Sequence, residues 1–103
     1  MHKFVVLYNQ PEDPEHFRSY YESTHIPLAA GLPGLTAWRY TFDVSSPGQE
    51  DSPYFCIFEG EFESEAAMGE ALSSEQGRKV GADVPNYATG GATILNYPIT
   101  ASS

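Results

Sequence analysis

The chain has 103 residues, a hydrophobic content of 41% and a net charge of −9. Its length suits one domain, and fourteen acidic against five basic residues exclude the basic stripe that nucleic acid or an anionic membrane surface requires. No apolar run approaches the roughly 18 residues of a membrane span, and a single Cys excludes an internal disulfide or a Cys-based zinc site.

The chain opens without a basic, then apolar, then small-residue leader, so the sequence predicts a cytoplasmic protein. Residues 3–9 are β-branched and aromatic and end at Gln10-Pro11, which predicts a strand. Both alternating sets are apolar: Phe4, Val6 and Tyr8 on one side, Val5 and Leu7 on the other. Asp13-Pro14 then starts a helix, with Asp as N-cap and Pro in the first turn. Phe17, Tyr21, His25 and Leu28 form one stripe at helical spacing. Pro27 disfavours helical geometry at Ile26, which predicts an end or kink near His25. One short turn follows over 27–31, and Leu32-Pro33-Gly34 breaks the chain.

Residues 35–43 alternate, with Thr36, Trp38, Tyr40 and Phe42 on one face of a second strand. Ser45 to Pro53 is polar and reads as a mobile connection within the domain. Residues 54–62 are a third, strongly apolar strand containing Cys56, which reads as a small buried hydrophobe. Its alternation sets Tyr54, Cys56 and Phe58 against Phe55 and Ile57. Glu59, Glu61 and Glu63 alternate near its end and read as a solvated edge that resists aggregation. Ser64 caps a helix that Ser73-Ser74 interrupts. A second piece runs to about Ala82, a loop covers 83–87, and a last strand spans 92–98.

Two β-α-β halves in so short a chain predict an α+β, ferredoxin-like fold over residues 1–103. It has a four-stranded antiparallel sheet with helices on one face. The uncovered face would leave apolar strand residues in water. A second copy laid sheet to sheet removes that exposure, which predicts a two-fold homodimer.

His25 is the sharpest chemical feature. Its stripe turns it toward the sheet, at a helix end where pockets form. One reading is a core histidine bonded to a backbone carbonyl; the other is a general acid–base. Tyr8, Tyr21, Trp38, Tyr40, Phe42 and Tyr97 read either as core packing or as the walls of an apolar cavity with a few hydroxyl handles. His2 stands at a fraying terminus and His16 on a solvated helix face. Three dispersed histidines point to no metal site. The absence of phosphate-binding glycine motifs points to no flavin, nicotinamide or nucleotide cofactor.

The run Phe17-Arg-Ser-Tyr-Tyr-Glu-Ser-Thr-His25-Ile-Pro-Leu28, followed by Leu32-Pro-Gly-Leu35, resembles the signature of the EthD family. Val6-Leu-Tyr-Asn-Gln-Pro11 and Asp83-Val-Pro-Asn-Tyr87 are also similar to that family. The resemblance implies a dimeric α+β barrel of ferredoxin-like subunits. It also implies a place in small-molecule catabolism beside a cytochrome monooxygenase system. Relatives of that barrel include muconolactone-type isomerases, cofactor-free oxygenases and polyketide cyclases or decarboxylases. In some of them the histidine matching His25 acts on substrate beside an aromatic hydroxyl. Family members often carry Tyr where this chain has Trp38, which donates only. Tyr40, two residues on, is the hydroxyl that stands in.

Three functions follow as expectations. The first is a cofactor-free enzyme that binds a small, oxygenated, apolar compound. His25 moves a proton, Tyr40 and Tyr21 polarise a carbonyl, Trp38 forms a wall, and Tyr8, Phe42 and Tyr97 complete the pocket. The second is a non-catalytic binding or accessory protein of a monooxygenase pathway. The third is a structural dimer with a filled core.

Overall fold

In the computed structural model, residues 1–48 and 51–103 are described. Residues 49–50, in the middle of the predicted Ser45–Pro53 connection, lie outside them. The elements follow in the order β1 (His2–Asn9), α1 (Pro14–Tyr20), a π turn (Tyr21–His25), α2 (Ile26–Ala30), β2 (Ala37–Thr41), β3 (Tyr54–Phe62), α3 (Glu65–Ser73), α4 (Glu75–Asp83), a 3-10 turn (Val84–Asn86) and β4 (Ala92–Pro98). The sheet order is β2-β3-β1-β4, and every pairing is antiparallel. This is the ferredoxin-like plan, with the helices on one face.

Two helix starts are the ones the sequence offers: Asp13 accepts from the His16 N–H and Ser64 from that of Ala67. At the Ser73-Ser74 interruption Ser74 proves to be a third cap, accepting from the Gly77 N–H. Each satisfies an orphan donor of a first turn. Near His25 the helical run does not end. The Ile26 N–H bonds the Tyr21 carbonyl five residues back, and Ile26 keeps helical angles before Pro27. The wider turn shifts the hydrogen-bond ladder past the proline, so Pro27 enters α2 in its first turn, where its missing N–H leaves no gap.

Strand register fixes which side chains meet the helices. Phe4, Val6 and Tyr8 stand opposite Gly60, Phe58 and Cys56 on one side and Asn96, Ile94 and Ala92 on the other. A bulge at Tyr8/Asn9 pairs Asn9 with Tyr54. Phe55, which simple alternation sets on the side opposite Cys56 and Phe58, therefore turns inward with them and packs edge-on against Phe17 at 5.0 Å between ring centroids. Cys56 is fully buried, as its apolar setting predicts.

β3 is an inner strand, so Glu59 and Glu61 are not an edge. They pair across the uncovered face, Glu59 with Lys3 at 2.8 Å and Glu61 with Arg39 at 2.7 Å. His2 does not fray either: it is buried, and its Nε2 hydrogen-bonds Asn96 at 2.9 Å. At the start of β4, a Cβ on Gly90 would collide with the Gln10 carbonyl, so glycine alone lets the strands close. No helix among the described residues is long and apolar enough to cross a membrane.

Candidate functional site

The two helical runs are antiparallel. Their hydrogen-bonded partners descend from the 3-10 turn back along α4 as the first run ascends: His16 Nε2 with the Asn86 carbonyl, the Tyr20 hydroxyl with Asp83, and the Leu28 carbonyl with the Gln76 amide. This brings His25, at the end of the π turn, beside Asp83, at the end of α4. His25 Nδ1 lies 2.9 Å from Asp83 Oδ2, and both residues are buried. The other Asp83 oxygen accepts from the Tyr20 hydroxyl and from the Asn86 amide.

A carboxylate at a helix C-terminus faces the negative end of the dipole, and burial also raises the pKa of Asp83. The hydrogen bonds from Tyr20, Asn86 and His25 outweigh burial and hold its carboxyl below the usual range. Burial acts on His25 in the opposite sense. It pushes the imidazole below its ordinary 6.5, and the Asp83 hydrogen bond opposes that without cancelling it. The ring is therefore neutral at neutral pH and the carboxylate ionised. A carboxylate only accepts, so the one imidazole proton resides on Nδ1 and Nε2 carries a lone pair.

His25 also forms the wall of a cavity of about 240 Å³ between the β1–β4 half of the sheet and helices α2 and α4. Phe4, Val6 and Ile94 lie beneath it, and Ala29, Val80 and Val84 above. Apart from His25 and Tyr8, the residues that line it among the described ones carry hydrocarbon side chains or are glycine. With Nδ1 held by Asp83, Nε2 is the nitrogen left to the cavity. The Tyr8 hydroxyl bonds that of Tyr87 at 2.7 Å. Burial raises the Tyr8 pKa to about 12, so Tyr8 stays neutral.

The structure brings together only part of the predicted set. His25 and Tyr8 line the cavity, and Tyr21 sits behind them, its ring stacked on His25 at 5.3 Å. The Tyr21 hydroxyl is buried without a hydrogen-bond partner among the described residues. Tyr40 stands elsewhere. It is on β2, two strands from the cavity floor on β1, and its hydroxyl donates to Glu22 at 2.6 Å. Trp38 is 40% exposed and stacks on Tyr40. Phe42 packs into the aromatic cluster around Phe17 and Tyr21. Tyr97 pairs with Lys3 in register and so points from the opposite face of the sheet. One face of β2 was read as part of the pocket, but the hollow lies at the other end of the sheet.

Asp83, Tyr20, Asn86 and Tyr87 were not picked out by the sequence reading. The available signal was Asp83-Val-Pro-Asn-Tyr87 closing an amphipathic segment, which antiparallel helix pairing carries back to the first helix.

Comparison with known proteins places this geometry. The EthD domain model matches residues 9–91. The chain belongs to the EthD family. An uncharacterised 11.0 kDa protein from the thcB-thcC intergenic region of Rhodococcus erythropolis is 36% identical over 95 residues, covering 92% of this chain and 91% of that protein. A crystal structure of an EthD family protein from Bacillus halodurans is 29% identical, with a TM-score of 0.89 over 97% of this chain and 99% of the other. SnoaB, a cofactor-independent oxygenase from Streptomyces nogalater, shares the fold alone. It is 13% identical, with a TM-score of 0.69 over 98% of this chain and 94% of its own.

Proposed function

We propose that this EthD protein is an enzyme that moves a proton on a small, oxygenated, largely apolar molecule, with His25 as the base and no bound cofactor. The observation that carries the reading is the His25–Asp83 pair in the cavity wall. It supplies a neutral imidazole with its lone pair toward an apolar hollow. In such a hollow a C–H bond beside a carbonyl can lose its proton to Nε2. The electron pair passes to the carbonyl oxygen, and the imidazolium so formed sits against the ionised Asp83. Returning the proton to a different carbon completes an isomerisation. When the enolate's electron pair instead forms a C=C bond and breaks the bond from the β-carbon to a leaving oxygen, the imidazolium proton passes to that oxygen and completes a lyase reaction. When the Tyr8 hydroxyl accepts from Tyr87, its own proton is free to steady the carbonyl oxygen. Asp83 acts as a positioning residue, because it fixes the tautomer and the ring orientation. A cofactor-independent oxygenase on the same fold accords with chemistry of this kind.

The experiment follows deuterium uptake from D2O into the carbon next to the carbonyl of small neutral ketones and esters, by proton NMR. The wild type accelerates uptake for at least one of them, and His25→Ala loses at least about a hundredfold, the usual contribution of a positioned acid–base group. Equal rates with and without the imidazole contradict the enzyme reading and leave a carrier.

We also propose that a second copy covers the sheet face away from the helices. Leu95 and Tyr97 are 46% and 44% exposed there, beside Val5, Leu7 and Ile57. A ferredoxin-like protein from Bacteroides fragilis, described as dimeric, is 12% identical with a TM-score of 0.68 over 95% of each chain. Sedimentation equilibrium of wild type and Leu95→Lys tests this. A dimer that the substitution splits is expected, and a wild-type monomer at micromolar concentration contradicts it.

A further inference from the structure

We infer that the cavity selects an uncharged molecule of about ten non-hydrogen atoms, one ring or its equivalent in bulk, and that Gly81 on α4 sets that limit at the entrance. The inference rests on the cavity being the ligand site, as in the reading above, but not on His25 catalysing a reaction there.

The charge argument comes from the lining. No Lys or Arg side chain borders the cavity among the described residues. A carboxylate brought inside would lose its water with only His25 and Tyr8 to meet it, and burying an unpaired charge is strongly unfavourable. The chain's net charge of −9 adds repulsion outside. Cations fare no better. The carboxylate paired with His25, that of Asp83, already takes donors from His25, Tyr20 and Asn86 and does not line the cavity.

The size argument is volumetric. A dry, aliphatic hollow of about 150 Å³ holds benzene. At the same density, 240 Å³ holds roughly ten non-hydrogen atoms. A two- or three-ring system exceeds that volume.

The entrance is located by exposure. On the far side Phe4, Val6, Tyr8, Ala29 and Leu32 are buried, whereas Ile94 is 57% exposed and Gly81 is also exposed. The opening therefore lies between α4 and β4. The two lining glycines of α4 differ in kind. A Cβ on Gly77 would collide with the carbonyls of Ala71 and Leu72, so helix packing explains that residue. A Cβ on Gly81 meets nothing within 4 Å, so neither packing nor backbone angle requires glycine there. A side chain at 81 would stand in the mouth. Gly69 on α3 is equally unobstructed but is not among the residues that line this cavity, which makes it the internal control.

The test titrates the full chain with methyl benzoate, benzoate and methyl 2-naphthoate near pH 7.5, reading backbone amide shifts around His25, Val80 and Ile94. Methyl benzoate is expected to give saturable shifts at those positions. Benzoate and the naphthoate ester should bind at least tenfold more weakly. Gly81→Leu should weaken methyl benzoate at least tenfold, with its thermal midpoint and amide dispersion showing an intact fold, while Gly69→Leu leaves the affinity unchanged. Benzoate or the naphthoate binding as well as methyl benzoate, no saturable shift with the ester, or an affinity indifferent to Gly81→Leu would each overturn the inference. The same titration on His25→Ala separates the two proposals. Size- and charge-selective binding that persists while no protein accelerates deuterium uptake defeats the catalytic reading alone. Uptake that depends on His25 but favours an anionic or two-ring ketone defeats the selectivity alone.

Discussion

The helix-facing side of the sheet divides into a solid half and a hollow half. Over β2 and β3, large rings fill the space. Phe17 lies 5.0 Å from Phe55 and 6.3 Å from Phe42, and Tyr21 lies 5.5 Å from Tyr40. Over β1 and β4 the cavity is lined by Phe4, Val6, Tyr8, Ala92 and Ile94 below, and on the helix side by the small or aliphatic Ala29, Val80, Gly81 and Val84. Both halves are covered by helices from the same two runs, so side-chain volume, not topology, separates core from cavity. His25 stands at the boundary, its ring against Tyr21 on one side and facing the hollow on the other. The aromatic half gives the imidazole a rigid backing, and the aliphatic half gives it room for a ligand.

That contrast can be broken most forcefully in the solid half. Phe17 is fully buried, and Phe17→Ala is expected to cost about 3–5 kcal/mol in chemical denaturation, whereas Val84→Ala at the cavity should cost about 1 kcal/mol or less, because it enlarges a space that already exists. Equal losses would show that the hollow is packed as tightly as the ring cluster.

Acid should weaken the boundary next. His25 has a folded pKa below 6.5, so the unfolded chain binds its proton first. Stability is full above that value and falls as the pH drops from 6.5 to the folded pKa, by about 1.4 kcal/mol for each tenfold difference in proton affinity. Asp83, also depressed, adds a second loss as pH falls below 3.8 toward its folded pKa. Urea midpoints between pH 8 and pH 5 should decline in wild type and stay nearly level, over that upper window, in His25→Phe. A wild-type curve that rises toward pH 5 would contradict the assigned direction.

The smallest expected effect sharpens the comparison within the ring cluster. The Tyr21 hydroxyl has no hydrogen-bond partner among the described residues, and Tyr21→Phe removes a buried polar group. Thermal melts should show a gain of up to about 1 kcal/mol. Tyr87→Phe should lose about 1–2 kcal/mol, because it strands the Tyr8 hydroxyl.

Much of the fold was legible because it rests on local signals. Asp13 and Ser64 mark helix starts, β-branched runs mark strands, and the Tyr21 to Leu28 run carries the family. The π turn was not legible, since Pro27 argues against a helix that a widened turn in fact carries past it. The turning of Phe55 was hidden by a bulge that alternation does not encode. For the site, His25 stood out through its stripe, but its partner lay 58 positions away and came only with helix pairing. Placing the pocket over β2 failed for a volumetric reason. Aromatic residues are conspicuous in a sequence, yet over β2 they fill space, and the cavity opens where the helix side carries Ala29, Val80, Gly81 and Val84, which are conspicuous only once their neighbours are known.

The central claim is that Nδ1 holds the His25 proton against Asp83 and leaves Nε2 bare toward the cavity. Long-range proton–nitrogen NMR of the wild-type imidazole at neutral pH tests it directly. The account predicts a protonated Nδ1, an unprotonated Nε2 that shifts when methyl benzoate binds, and a reversal of the tautomer or loss of its fixed state in Asp83→Asn. A proton on Nε2 at neutral pH, or a ring that titrates above 6.5, would contradict it.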